Sequence, residues 1–276
     1  MSAELIIVAA ISLFFGFLFI FPEFFQLKIS LSLVSGIFIG YFFISMLPEI
    51  ENLSQISNQL NYARYAWVAL GFVINYLVYM FIIKKIKNKS ILKLKNLSKS
   101  KERNFNSEYD KIQKDEIQEQ ANRKIASFHF YSLFLYHLLI GIIGIPLLLE
   151  NLFSGIIFFL IAYMISLSIH NLRSRLLIAD LNIREIEVEE SFREKVILSI
   201  TPLIGVIISL ILVILSGFYL DFRIVSILFS IVAGFMLYHI VFELMPEPEK
   251  LSGGLFFAGF LGFLIFIFLV NFLSLV

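Results

Sequence analysis

The chain has no cysteine and few charged residues, which make up only 16% of its 276 positions. The absence of cysteine excludes disulfide scaffolds, Fe–S clusters, cysteine-ligated zinc and thiol catalysis. A hydrophobic fraction of 59% lies above the range of soluble domains, and a net charge of +1 gives no basis for nucleic-acid binding. The sequence also lacks the nucleotide-binding, hydrolase and zinc-protease motifs, so nothing in it favours an enzyme. These absences leave a membrane protein.

Long apolar runs divide the sequence. A helix needs about 20 apolar residues to cross a hydrocarbon core roughly 30 Å thick, and the runs lack the alternation of a barrel strand. We therefore predict an all-α integral membrane protein with eight transmembrane helices. The spans are approximately 4–21, 29–48, 64–83, 127–148, 152–170, 196–219, 224–245 and 254–276.

The basic residues predict the orientation of these spans. If the N-terminus lies outside, the inner loops hold 20 of the 22 Lys and Arg, and only Arg64 and Arg223 fall elsewhere. Both termini should then lie outside the cytoplasm, in a plasma or bacterial inner membrane. The segment 84–126 is expected to be a basic cytoplasmic loop that either binds anionic lipid or only fixes topology, with a short helix over 110–124.

One pattern occurs twice, 198 residues apart. In each copy a glycine is followed, after eleven residues, by Pro-Glu. The copies are Gly36 with Pro48 and Glu49, and Gly234 with Pro246 and Glu247. Shared apolar composition does not explain matching Gly, Pro and Glu positions.

The two copies lie five spans apart and would cross the membrane in opposite directions, which is typical of inverted repeats in transporters. The predicted single domain 1–276 then comprises a first repeat (1–84), the basic loop, central helices (127–182) and a second repeat (195–276). The glycines should permit close helix approach, and each Pro-Glu should end its helix. A duplication retained only for packing is the alternative.

This arrangement resembles the ZIP family of divalent-metal transporters. Residues 233–247 read AGFMLYHIVFELMPE and are similar to the family's A-G-x-x-L-Y-x-x-x-x-E/D-x-x-P-E, and 36–49 resemble its second span. The resemblance implies a 3+2+3 inverted-repeat bundle, transport of zinc, iron or manganese by alternating access, and the lipid bilayer and the metal as partners. By the same resemblance we expect a metal such as zinc as the cargo and no resident cofactor, and a homodimer is compatible with it.

The metal-site motifs depart from the family. Residues 170–175 read HNLRSR where the family has H-E-x-P-H-E, so His170 is retained while Asn171 and Arg175 replace carboxylates. Ser45 stands in place of the family's histidine. Guanidinium groups repel a divalent cation, so Arg173 and Arg175 are predicted to block the vacated site.

Histidines and one glutamate remain as candidate ligands. His239 and Glu243 are four residues apart and share a helix face, where they could bind a metal or relay a proton. The candidate metal-site residues are His170, His239, Glu243, His137 and Asn171. His137 is also explained by packing alone.

Three functions are compatible with these residues. The first is divalent-metal transport of the ZIP type with an atypical site. The second is a non-transporting ZIP-like scaffold or regulatory protein that has lost its metal ligands. The third is transport of an anion attracted by Arg173 and Arg175.

Overall fold

The computed structural model describes residues 3–20, 30–56, 63–100, 107–172, 192–215, 222–245 and 252–273. Every regular element within these ranges is a helix, so the all-α prediction is confirmed for this part of the chain. The elements are α1 (Ala3–Leu18), α2 (Leu31–Tyr41), a first π segment (Phe42–Met46), α3 (Leu47–Ile56), α4 (Ala63–Ser100), α5 (Ser107–Glu150), α6 (Leu152–Leu172), α7 (Phe192–Leu215), α8 (Phe222–His239), a second π segment (Ile240–Leu244) and α9 (Gly253–Leu273).

Six of these helices are long and apolar enough to cross a membrane, counted within the described residues. The candidate spans, the first of which runs from α2 through the first π segment into α3, are Leu31–Gln55, Ala63–Ile82, Phe130–Glu150, Arg193–Leu215, Phe222–Phe242 and Gly253–Val270. Two further apolar helices, Ala3–Leu18 and Leu152–Ser168, are shorter. Large apolar side chains such as Leu77, Phe81 and Phe268 are exposed on the outer helices, as lipid contact requires. These helices have the properties of an integral membrane protein.

Most of the predicted basic loop is helical where the structure describes it. Helix α4 continues through the basic residues to Ser100, and α5 begins at Ser107, well before its apolar part. The stretch 84–126 contains no Gly or Pro and is rich in Lys, Gln, Glu and Leu, which favour helix. The short helix predicted over 110–124 is confirmed and forms part of α5.

Helices α2 and α9 cross at backbone contact. A Cβ atom on Gly36 would overlap the carbonyl oxygen of Phe256, and one on Gly259 would overlap the carbonyl oxygen of Leu33. Each helix therefore contributes one glycine to the crossing, and the backbone of the other helix fills the space a side chain would need.

Helices α4 and α8 cross in the same way. A Cβ atom on Gly234 would overlap the carbonyl oxygen of Val68, and one on Gly71 would overlap the carbonyl oxygen of Ile231. Side-chain packing continues beyond the crossing, where the rings of Tyr76 and Phe242 stack with centroids 5.5 Å apart. The α4–α8 pair thus has the same construction as the α2–α9 pair.

The contacts also give the relative directions of the helices. Helices α2 and α9 run parallel, because the Ser252 N–H donates to Ser32 Oγ near their starts and the Tyr41 and Phe263 rings meet further along. Helices α2 and α8 run antiparallel, because Ser35 near the start of α2 hydrogen-bonds Leu244 at the end of the second π segment, while α3, which continues α2, contacts α8.

Both π segments precede a proline. The Leu47 N–H donates to the carbonyl of Phe42, and the Met245 N–H donates to the carbonyl of Ile240, each five residues back. Proline follows directly in the sequence, at Pro48 and Pro246. A proline lacks the N–H and crowds the carbonyl four residues earlier, and the wider π turn relieves that crowding.

The first Pro-Glu does not end its helix, contrary to the prediction. Pro48 and Glu49 lie in α3, which continues to Ile56, because the π turn accommodates the proline inside the helix. In the second copy the helix does end before the proline, since Met245 has an extended backbone with φ −71° and ψ 116°. The residues Pro246 and Glu247 lie outside the described residues.

A third proline is compensated by a side chain. Pro146 lies inside α5 and cannot donate to the carbonyl of Ile142, four residues earlier. Ser209 of α7 supplies the missing donor, with its Oγ 2.7 Å from the Ile142 oxygen. This bond ties α7 to α5 at the position where the helical hydrogen bonding of α5 is interrupted.

We expect Gly259→Ala to destabilise the protein by about 1–3 kcal/mol, because the added methyl group must displace the α2 backbone. Gly262→Ala is the matched control on the same helix, since a Cβ atom there has nothing within 4 Å. Thermal unfolding of both variants in detergent measures the effect. Equal Tm values for the two variants would contradict the backbone contact.

We expect Ser209→Ala to cost about 1–3 kcal/mol, because the Ile142 carbonyl loses its donor in a buried site. Ser168→Ala is the control, because the Ser168 hydroxyl bonds the carbonyl of Met164 in its own helix, and that carbonyl retains its backbone donor. Unfolding in detergent should show a larger loss for Ser209→Ala, and the reverse order would refute the compensation.

Candidate functional site

Two of the predicted ligands meet at one tyrosine in the centre of the helix bundle. The ring of Tyr136 lies 5.3 Å from the ring of His239 and 5.7 Å from the ring of His137, measured between centroids. All three side chains are buried, with 0% exposure for His239 and 1% for His137 and Tyr136. The polar cluster is therefore closed to the surrounding lipid.

Helix α5 is the element that brings these side chains together. It contacts α1, α4, α6, α7 and α8, so neighbouring positions on it face different helices. Tyr136 faces the end of α8 at His239, while His137 lies edge-on to Phe19, just beyond the end of α1. Phe19 in turn packs edge-on against Tyr163 of α6. The histidines are thus enclosed by aromatic rings from several helices.

The position of His239 has a counterpart in α2. His239 is the last residue of α8 before the second π segment, and Tyr41 is the last residue of α2 before the first π segment. The two residues are 198 positions apart, and both are buried. Each lies five residues after the crossing glycine of its helix, Gly36 or Gly234, so the helix crossings set the depth of both side chains in the bundle.

The cluster supplies imidazole and phenol groups but few ligands. Imidazole nitrogens bind borderline divalent metals, and zinc sites in proteins usually have four ligands, or three and a water. Within the described part of the chain there is no group of three or more His, Asp or Glu side chains that could hold a metal ion. His137 and His239 alone would form an incomplete site.

The other predicted ligands fall outside the described side chains. His170 and Asn171 belong to the last turn of α6, and Glu243 belongs to the second π segment, but nothing is described of their side chains. Arg173 and Arg175, predicted to block the site, lie outside the described residues. Ser45 lies half-buried in the first π segment, 198 positions before Glu243.

A second polar group lies at the end of α5 and the start of α6. Asn151 caps α6, with its Oδ1 accepting from the N–H groups of Phe153 and Ser154 at 3.0 and 3.1 Å. Glu150, directly before Asn151, and Glu49 of α3 are half-buried carboxylates.

Sequence analysis missed Tyr136 and Glu150 as members of these polar groups. Tyr136 precedes a predicted ligand, but a tyrosine within an apolar run gives no signal of its own. Glu150 stands between two spans and next to an N-cap asparagine, and this position at a helix junction could have drawn attention to it.

Comparisons with known protein families, characterised proteins and solved structures find no match to this chain.

Proposed function

We propose that the protein is a membrane transporter built from an inverted repeat, with a divalent metal cation as its cargo. In this proposal eight helices span the bilayer. Helices α1 to α4 form the first repeat, α5 and α6 are central, and α7 to α9 form the second repeat. The shorter helices α1 and α6 then count as spans.

The single observation that carries the proposal is the matched construction of the two helix crossings. A shift of 198 residues takes Leu33 and Gly36 of α2 onto Ile231 and Gly234 of α8. A shift of 188 residues takes Val68 and Gly71 of α4 onto Phe256 and Gly259 of α9. Under these two shifts the two backbone overlaps at the α2–α9 crossing become the two at the α4–α8 crossing. Such agreement in register is what duplication predicts.

The directions of the helices support inversion. Because α2 and α8 run antiparallel, the two copies would cross a bilayer in opposite senses. Inverted repeats surround a site near the midplane, and movement of one helix bundle against another, each drawing helices from both repeats, exposes that site to each side in turn. The buried cluster of Tyr136, His137 and His239 lies between α5 and the end of α8, where such a site is expected.

The resemblance to ZIP transporters supports a divalent cation as the cargo. The pathway would use His137 and His239, together with the predicted ligands His170, Asn171 and Glu243. Because buried ionisable groups are costly in a bilayer, their presence in spans favours a functional role. The charge distribution supports an orientation in which both termini lie outside the cytoplasm of a plasma membrane and the basic ends of α4 and α5 lie inside. A homodimer is compatible with this arrangement.

A second candidate is a non-transporting scaffold or regulatory protein of the same fold. The enclosure of His137 and His239 by aromatic rings favours this candidate, as does the lack of a third ligand among the described side chains. Under this alternative the histidines pack, and the crossings serve only to hold the bundle together.

Uptake into reconstituted vesicles separates the two candidates. Purified protein in liposomes that enclose a metal-sensitive dye is exposed to zinc, manganese or ferrous iron. We expect saturable uptake of at least one ion, and a loss of about ten-fold or more in His239→Asn and Glu243→Gln, because each variant removes one donor from a site with few donors.

Glu4→Gln is the matched control for the glutamate variant, because Glu4 is exposed in the first turn of α1 and distant in sequence from the site. It should leave uptake unchanged. If vesicles containing the parent chain take up none of the three ions faster than protein-free vesicles do, the metal-transport proposal is rejected and the scaffold is favoured.

A further inference from the structure

One buried hydroxyl lies within hydrogen-bonding distance of two carbonyl groups from different helices. Ser35 of α2 is fully buried, and its Oγ is 2.8 Å from the carbonyl oxygen of Leu31 and 2.8 Å from that of Leu244. A serine hydroxyl has a single proton to donate, and a carbonyl oxygen has none. The proton of Ser35 therefore serves two competing acceptors.

The two acceptors differ in their need for a donor. The Leu31 carbonyl lies inside α2, where the backbone N–H of Ser35 is its regular helical partner. Leu244 is the last residue of the second π segment, and the extended backbone of Met245 ends the helix there. The last carbonyls of a helix have no partner within it. The Ser35 hydroxyl therefore completes the end of the α8 helix from another helix.

The corresponding position in the other half of the chain needs no such donor. The shift of 198 residues takes Ser35 onto Ala233 and relates Leu244 to Met46. The first π segment continues directly into α3, so the Met46 carbonyl is not at a helix end. Ser35 supplies a hydroxyl where the second π segment ends, and its counterpart Ala233 has none where the first π segment continues into α3. This difference assigns Ser35 a role beyond general packing.

We propose that Ser35 is a switchable tie between α2 and Leu244, the last residue of the second π segment, which continues α8. When these helices are together the hydroxyl donates to Leu244. When they separate, rotation about the Cβ–Oγ bond directs the same proton to Leu31, with no change in the position of the oxygen. The hydroxyl keeps a partner in both states, so separation leaves no buried donor unsatisfied.

The tie rests on the proposed function in one respect, since alternating access requires helices to separate at one side of the bundle, and we propose the α2–Leu244 contact as one that opens. In the proposed topology, the start of α2 and the end of α8 lie at the cytoplasmic side. Breaking the tie would then open that side, while Ala233, the counterpart of Ser35, has no hydroxyl to form an equivalent bond.

Distance measurements between two spin labels test the tie directly. The chain has no cysteine, so cysteines introduced at Ser30 and Met245 are the only labelling sites. Both residues are exposed and flank the contact, one before α2 and the other directly after Leu244. Full-length labelled protein in lipid nanodiscs should show one main distance and a minor, longer one.

In Ser35→Ala we expect the ratio of the longer to the main distance to rise about five-fold, because one net hydrogen bond between the helices is lost. Ser35→Thr retains the hydroxyl and should keep the parent ratio. Ser12→Ala is the matched control, because Ser12 is equally buried and bonds only the carbonyl of Val8 in its own helix. It should leave the ratio unchanged.

Either of two results would overturn the tie: equal distance distributions in Ser35→Ala and the parent, or a shift in Ser35→Thr as large as that in Ser35→Ala. Neither result depends on uptake. Vesicles that fail to take up metal while Ser35→Ala shifts the distances would reject the transport proposal and retain the tie. Saturable uptake of metal without a distance shift in Ser35→Ala would reject the tie and retain the transport proposal.

Discussion

The close approach of two helix pairs is the constraint on which the rest of the structure depends. Lipid chains are as apolar as leucine, so helices in a bilayer associate through van der Waals contact and a few hydrogen bonds. Glycines at the α2–α9 and α4–α8 crossings allow backbone to meet backbone. Since Tyr41 and His239 each follow a crossing glycine by five residues, the same contacts fix the depth of the polar side chains.

Unpaired backbone groups are the second constraint, because no water is present to satisfy them inside a bilayer. Proline removes a donor from each helix it interrupts, and the chain compensates in different ways. A π turn precedes Pro48, and the Ser209 hydroxyl replaces the donor lost at Pro146. Where α8 ends, the Ser35 hydroxyl of another helix completes it. The buried serines thus join helices where their own hydrogen bonding stops.

Much of the fold was predictable, but particular elements were not. The apolar runs predict the helices, and the repeated pattern identifies Gly36 and Gly234, which lie at the two crossings, and Pro48, which lies near the first π segment. The helical extension of α4 to Ser100 was missed, because a run of lysines resembles a solvated loop even where each residue favours helix. The passage of a helix through Pro48 was also missed, because the sequence alone does not distinguish a π turn from a helix end.

The sequence by itself determined that the chain lies in a membrane, which positions repeat and where the charges fall, because composition and periodicity express the bilayer's requirements directly. Only the tertiary structure decided which polar groups meet. Tyr136 is about a hundred residues from His239, and the contact of their rings depends on the packing of α5 and α8 with their neighbours. Such contacts arise from packing between distant helices, and no local pattern in the sequence encodes them.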